Sequence, residues 1–109
     1  VWMGQWIPAW EAGASGGIKW AVTLPSGCVG RSRGVNGVAA DGFASNDVDI
    51  TAGGGRTAAY SLMLTHVLYF NITNGSTAGT VQFQFAQNAS NGTNTTISKN
   101  AQLIAWRVS

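Results

Sequence analysis

The sequence predicts an all-β domain, a jelly-roll β-sandwich of about eight antiparallel strands, and three observations carry that expectation. Fifteen glycines, with Ser, Thr and Asn making up about a quarter of the 109 residues, are spread along the whole chain. Each glycine inside a helix costs about 1 kcal/mol against alanine, so helix would be broken almost everywhere. Apolar residues recur with a period of two, and clusters of turn-forming residues separate these runs at the short spacing of sandwich strands. The one window with helical spacing, residues 57–70, ends in β-branched and aromatic residues and reads better as strand.

The elements follow in order. Residues 2–10 form the first strand, in which Trp2, Trp6 and Trp10 recur every four residues and share a face; core or subunit packing is the expected use of that stripe. Ile18, Trp20, Val22 and Leu24 alternate with Lys19, Ala21 and Thr23, and Pro25-Ser26-Gly27 closes the run as a turn. Residues 29–41 read as the longest loop. Residues 34–41, 52–55 and 89–94 are all loop-like, with a strand over 43–51 between the first two. Residues 66–73 and 80–87 are β-rich and joined by 74–79, whose Asn-Gly-Ser chemistry suits a hairpin. Val81, Phe83 and Phe85 share one face of the second run, and Gln82 and Gln84 the other. The final run, 101–108, sets Leu103 and Ala105 against Ile104, Trp106 and Val108. A strand apolar on both sides must be covered twice.

Composition narrows the function. Charged residues are 9% of the chain and hydrophobic ones 45%, the opposite of a disordered segment. The net charge is +2, but Lys19, Arg31, Arg33, Arg56, Lys99 and Arg107 are scattered. A nucleic-acid surface needs a clustered stripe, so no nucleic-acid partner is expected. No apolar run is longer than four residues, as in Val67-Leu68-Tyr69-Phe70, and no membrane insertion is expected. Cys28 is the single cysteine, so no intrachain disulfide forms. One domain over residues 1–109 is expected, as the C-terminal fragment of a longer polypeptide, because the chain opens inside an apolar pattern. Eleven aromatic residues in so small a domain, with so little charge, favour an oligomer. Tyr69, Phe83, Phe85 and Trp106 are the expected subunit contacts.

No catalytic residue is expected. His66 is the single histidine, the acids are Glu11, Asp41, Asp47 and Asp49, and no G-x-S-x-G elbow is present. His66 lies in a patterned strand and reads as a core or interface histidine, while Cys28 follows a turn with no histidine near it in sequence. A polysaccharide hydrolase is the alternative of a different class. It would need two carboxylates about 5 to 9.5 Å apart, drawn from Asp47 with Asp49 or Glu11. Asp41, Asn46, Asp47 and Asp49 could form an oxygen cage for calcium, but an acidic strand that discourages edge pairing explains them more simply. No metal and no cofactor are expected. Asn71, Asn74, Asn88, Asn91 and Asn94 each begin an N-x-[ST] triplet, which composition alone accounts for. Arg31, Arg33 and Asn36 are the candidate binding residues, because polar loop residues on a rigid scaffold carry recognition and guanidinium groups hold carboxylates and hydroxyls in a fork.

Three stretches resemble a known family. They are Ile18-Lys19-Trp20-Ala21-Val22-Thr23-Leu24 running into Pro25-Ser26-Gly27, the segment Ala78-Gly79-Thr80-Val81-Gln82-Phe83-Gln84-Phe85-Ala86-Gln87-Asn88-Ala89-Ser90, and Thr93-Asn94-Thr95-Thr96-Ile97 with the closing Leu103-Ile104-Ala105-Trp106-Arg107-Val108. Together they are similar to the C-terminal heads of bacteriophage tail-fibre and other virion appendage proteins. The resemblance implies a homotrimeric jelly roll of the tumour-necrosis-factor and complement-head type. It implies a virion location, other virion proteins as neighbours, and a non-enzymatic role in trimerisation and contact with a host-surface glycan or protein. Capsid decoration or fibre capping without receptor binding is the alternative within the same class.

Overall fold

The computed structural model describes residues 1–13, 16–35, 47–56 and 60–109. They form eleven strand segments, β1 (Trp2–Ile7), β2 (Ala9–Ala12), β3 (Ile18–Thr23), β4 (Val29–Val35), β5 (Val48–Asp49), β6 (Gly54–Arg56), β7 (Tyr60–Thr65), β8 (Val67–Thr73), β9 (Gln82–Ala86), β10 (Thr96–Ile97) and β11 (Gln102–Arg107). A 3-10 turn, Ile50–Ala52, follows β5. Every pairing among the described residues is antiparallel. Three sheets result, in the orders β11-β1-β8-β4-β5, β10-β2-β7 and β6-β3-β9.

The first two sheets share bent strands. β1 pairs with β8 and β2 with β7 in one continuous register, Trp6 opposite Leu68 and Ala9 opposite Thr65, so Pro8 falls opposite His66. The His66 amide donates to the Pro8 carbonyl at 3.1 Å. Proline has no N–H to return the bond, so the ladder breaks there and the ribbon bends into a second sheet. On the other side, residues 98–101 form a turn in which the Ala101 amide donates to Ser98, so that β10 and β11 are also one run with an interruption.

The bend divides the tryptophan stripe. Trp6 joins Trp20, Val22, Ile50, Leu68, Phe70 and Ile72 in the main core, and Trp10 joins Ala12 and Ile18 in a second cluster. Ile97 packs against both. The main core lies between the five-stranded sheet and β6-β3-β9, where Trp6 meets Trp20 edge-on at 6.1 Å between centroids and Phe83 lies 5.2 Å from Phe70 and 5.3 Å from Trp6. The Phe70 ring lies directly over Gly4. A Cβ there would sit 2.4 Å from Phe70 Cζ, so only glycine lets β1 pass beneath the ring.

Four expectations are corrected. Residues 29–35 are a central strand and not a loop. Its inward positions are Gly30, Ser32 and Gly34, all buried, opposite Ile72, Phe70 and Leu68. A Cβ on Gly30 would come within 2.6 Å of Ile50, so small residues stand where alternation would show apolar ones, and the strand is invisible to a hydrophobic pattern. Residues 66–73 and 80–87 do not form a hairpin, because β8 and β9 belong to different sheets. Residues 74–81 carry the chain across the sandwich beside the Pro25–Cys28 turn, with the Gly75 amide donating to Cys28 Sγ at 3.3 Å. Gly54 and Gly55 belong to β6 and pair with Trp20 and Lys19. Of the strand expected over 43–51, Val48–Asp49 is strand and Ile50–Ala52 is the 3-10 turn, while residues 43–46 lie outside the described residues. The turn at Pro25-Ser26-Gly27 is present: the Cys28 amide donates to Pro25 at 3.1 Å and Gly27 takes the positive φ of 78° that a type II turn demands.

Candidate functional site

The two layers of the sandwich present different outer faces. In β6-β3-β9 the residues that alternate away from the core are Lys19, Ala21 and Thr23 beside Gln82, Gln84 and Ala86, a surface suited to water. In the five-stranded sheet the register aligns two rows across the outer face. One runs Trp106, Met3, Asn71, Arg31 and Asp49; the next runs Ile104, Gln5, Tyr69 and Arg33. Apolar and aromatic groups occupy the β11 side, and charges the β4 and β5 side. The face forms a shallow groove of about 570 Å³.

β11 is the sheet's edge strand, and all six of its residues are exposed. Ile104 and Trp106, at 47% and 45% exposure, point outward, whereas Leu103, at 54%, lines a cleft of about 430 Å³ with Trp2, Phe70, Phe83 and Val81. The strand expected to need covering on both sides is therefore covered on neither. The opposite edge is built differently: β5 has two residues and carries an acid, the usual guard against unwanted strand pairing.

No protein-family profile, characterised protein or solved structure matches the chain. The site is read from its own geometry.

Arg31 and Arg33 stand on the outer face of β4, in the sheet and not on a loop. Arg31 Nε donates to Asp47 Oδ2 at 3.1 Å and Nη2 to the Asp47 carbonyl at 2.9 Å, which fixes that guanidinium and offsets its charge. No hydrogen bond or ion pair holds Arg33 among the described residues, and its cross-strand neighbour is Tyr69. Asn36 and Asp41 lie outside the described residues, as does Asn46. The four expected subunit contacts separate: Tyr69 and Trp106 are on the outer face of the five-stranded sheet, Phe83 is packed against the core, and Phe85 is 46% exposed at the edge formed by β9. Sequence reading missed Met3, Gln5, Asn71 and Ile104 as members of the same face. Only the cross-strand register brings them together.

The residues weighed for catalysis have structural partners. His66 is buried, and its Nδ1 accepts from Trp10 Nε1 at 2.9 Å with the rings stacked at 23°. An indole N–H can only donate, so Nδ1 carries no proton and the imidazole holds its proton on Nε2. Glu11 Oε1 accepts from Thr96 Oγ1 at 3.1 Å. No cluster of three or more His, Cys, Asp or Glu occurs among the described residues, and no helix there is long and apolar enough to cross a membrane.

Asp49 caps the 3-10 turn, accepting from both the hydroxyl (2.7 Å) and the amide (2.9 Å) of Thr51. The Thr51 hydroxyl, then its amide, hold the carboxyl below its ordinary 3.8, with a smaller contribution from the Arg31 charge, against a slight opposing effect of burial. A carboxyl with a depressed folded-state value adds stability above its unfolded value and loses it as pH falls through the folded one. Melting curves from about pH 5 down to pH 2 are expected to show a small decline that Asp49→Asn lacks; parallel profiles for the two proteins would remove this cap from the acid response.

Proposed function

We propose that this chain is a non-enzymatic, homotrimeric jelly-roll head, the terminal domain of a virion fibre or surface appendage, that assembles through β11 and the cleft beside it. The observation that carries the reading is the exposed edge strand with apolar residues on both faces. Leu103, Ile104, Trp106 and Val108 are each about half exposed in the single chain, and Trp2 and Val81, also exposed, line one cleft with Leu103. Contiguous apolar surface of this kind marks an association site, and an edge strand with no charge between Gln102 and Trp106 invites it. A second copy is the partner we infer, on the low charge of the chain, its apolar flank and the polar outer face of β6-β3-β9. The virion setting rests on the resemblance of residues 18–27, 78–90, 93–97 and 103–108, which fall on β3, β9, β10 and β11, to phage fibre heads.

Light scattering on the dissolved chain at micromolar concentration is expected to give three times the 11.3 kDa chain mass. A stable monomer would overturn the reading.

A further inference from the structure

We infer that the middle of the five-stranded sheet's outer face binds an acidic oligosaccharide, with Arg33 holding a sugar carboxylate and the Tyr69 ring stacking on the adjoining pyranose. The inference rests on the proposed assembly in one respect: β11 is consumed by subunit contact, which leaves the surface of β1, β8 and β4 open to a ligand.

The chemistry of the face selects the ligand. Arg33 is an exposed cation with no partner among the described residues, and Arg31 beside it is already tied to Asp47. One unsatisfied guanidinium is therefore presented, and a planar fork of N–H donors matches a carboxylate. Tyr69 lies directly across from Arg33, and Gln5 directly across from Tyr69, so cation, aromatic ring and amide stand in one row about 4.8 Å apart. Asn71 and Met3 supply a second amide and an apolar floor in the neighbouring row. An aromatic ring offers rigid apolar area to the C–H face of a sugar, and flanking amides serve its hydroxyls. An acidic peptide fits less well. Gln5, Tyr69 and Asn71 lie on strands paired on both sides, so these residues offer no free backbone edge to pair with a peptide main chain.

Titration calorimetry of the whole chain with oligogalacturonate, a carboxylated sugar polymer, tests the inference. Binding is expected, weakening as salt rises, falling at least tenfold in Arg33→Gln and in Tyr69→Ala, and lost with a neutral maltooligosaccharide. Arg33→Lys, which keeps the charge but not the fork, should recover part of the affinity. Absence of binding, equal binding by Arg33→Gln, or equal binding of oligoglutamate would each overturn the inference. Light scattering on the same samples separates the two readings: an unliganded trimer overturns this site alone, and a monomer that binds oligogalacturonate overturns the trimer alone.

Discussion

Trp10→Ala is expected to lower the unfolding free energy by about 3 to 5 kcal/mol, the range for truncating a buried aromatic side chain. Trp10 is fully buried, in a cluster with Ala12 and Ile18 that has little material to collapse into the space. The substitution also strips His66 Nδ1 of its donor at 2.9 Å, leaving a buried acceptor unsatisfied. Against a typical total of 5 to 15 kcal/mol for a small domain, the loss brings the fold close to its limit. Urea denaturation measures it. Trp10→Phe keeps much of the volume but not the N–H, so the difference between the two variants isolates cavity from hydrogen bond. A midpoint for Trp10→Ala close to that of the parent protein would mean that the second cluster is not needed for the fold.

Charge placed on β11 is expected to dissociate the proposed trimer without unfolding the chain, whereas charge placed at Phe83 is expected to unfold it. Leu103 and Trp106 are about half exposed in the single chain, so Leu103→Asp and Trp106→Asp leave the carboxylate in water when the subunits separate. Association would bury it unpaired, at a cost of several kcal/mol. Phe83 is partly buried between Trp6 and Phe70, where a carboxylate loses much of its water and faces aromatic rings that cannot donate to it. Light scattering with circular dichroism distinguishes the results. Folded monomers are expected from the β11 variants, and loss of the β signal from Phe83→Asp. A Trp106→Asp protein of unchanged assembled mass would remove the outer face of β11 from the interface.

The strands that read correctly from sequence are those whose inward residues are large and apolar. β3 and β8 show this, with Trp20 and Val22 in one and Leu68, Phe70 and Ile72 in the other. β4 does not, because its inward side carries Gly30, Ser32 and Gly34 beneath Ile50 and Phe70. A strand packed by its neighbours' side chains leaves no periodic signal of its own. For the same reason Arg31 and Arg33 read as loop residues, although they stand on the outer face of β4. The connection over 74–79 reads as a hairpin for a different reason: turn chemistry reports that the chain reverses, not which sheet receives the next strand.

Composition and alternation by themselves determined an all-β chain and a final strand apolar on both faces, and marked His66 as a core or interface residue, because each follows from local propensity and a period of two. Tertiary structure alone decided the rest. Pro8 opposite His66 splits one ribbon into two sheets, and sends Trp6 and Trp10 into different clusters despite their shared spacing. Register across β11, β1, β8 and β4 sets Arg33 beside Tyr69 and Gln5, residues far apart in the chain. Such neighbours are fixed by which strands pair and at what offset, and that choice is made by the fit of side chains between the layers, a property of the whole packed domain that no single segment contains.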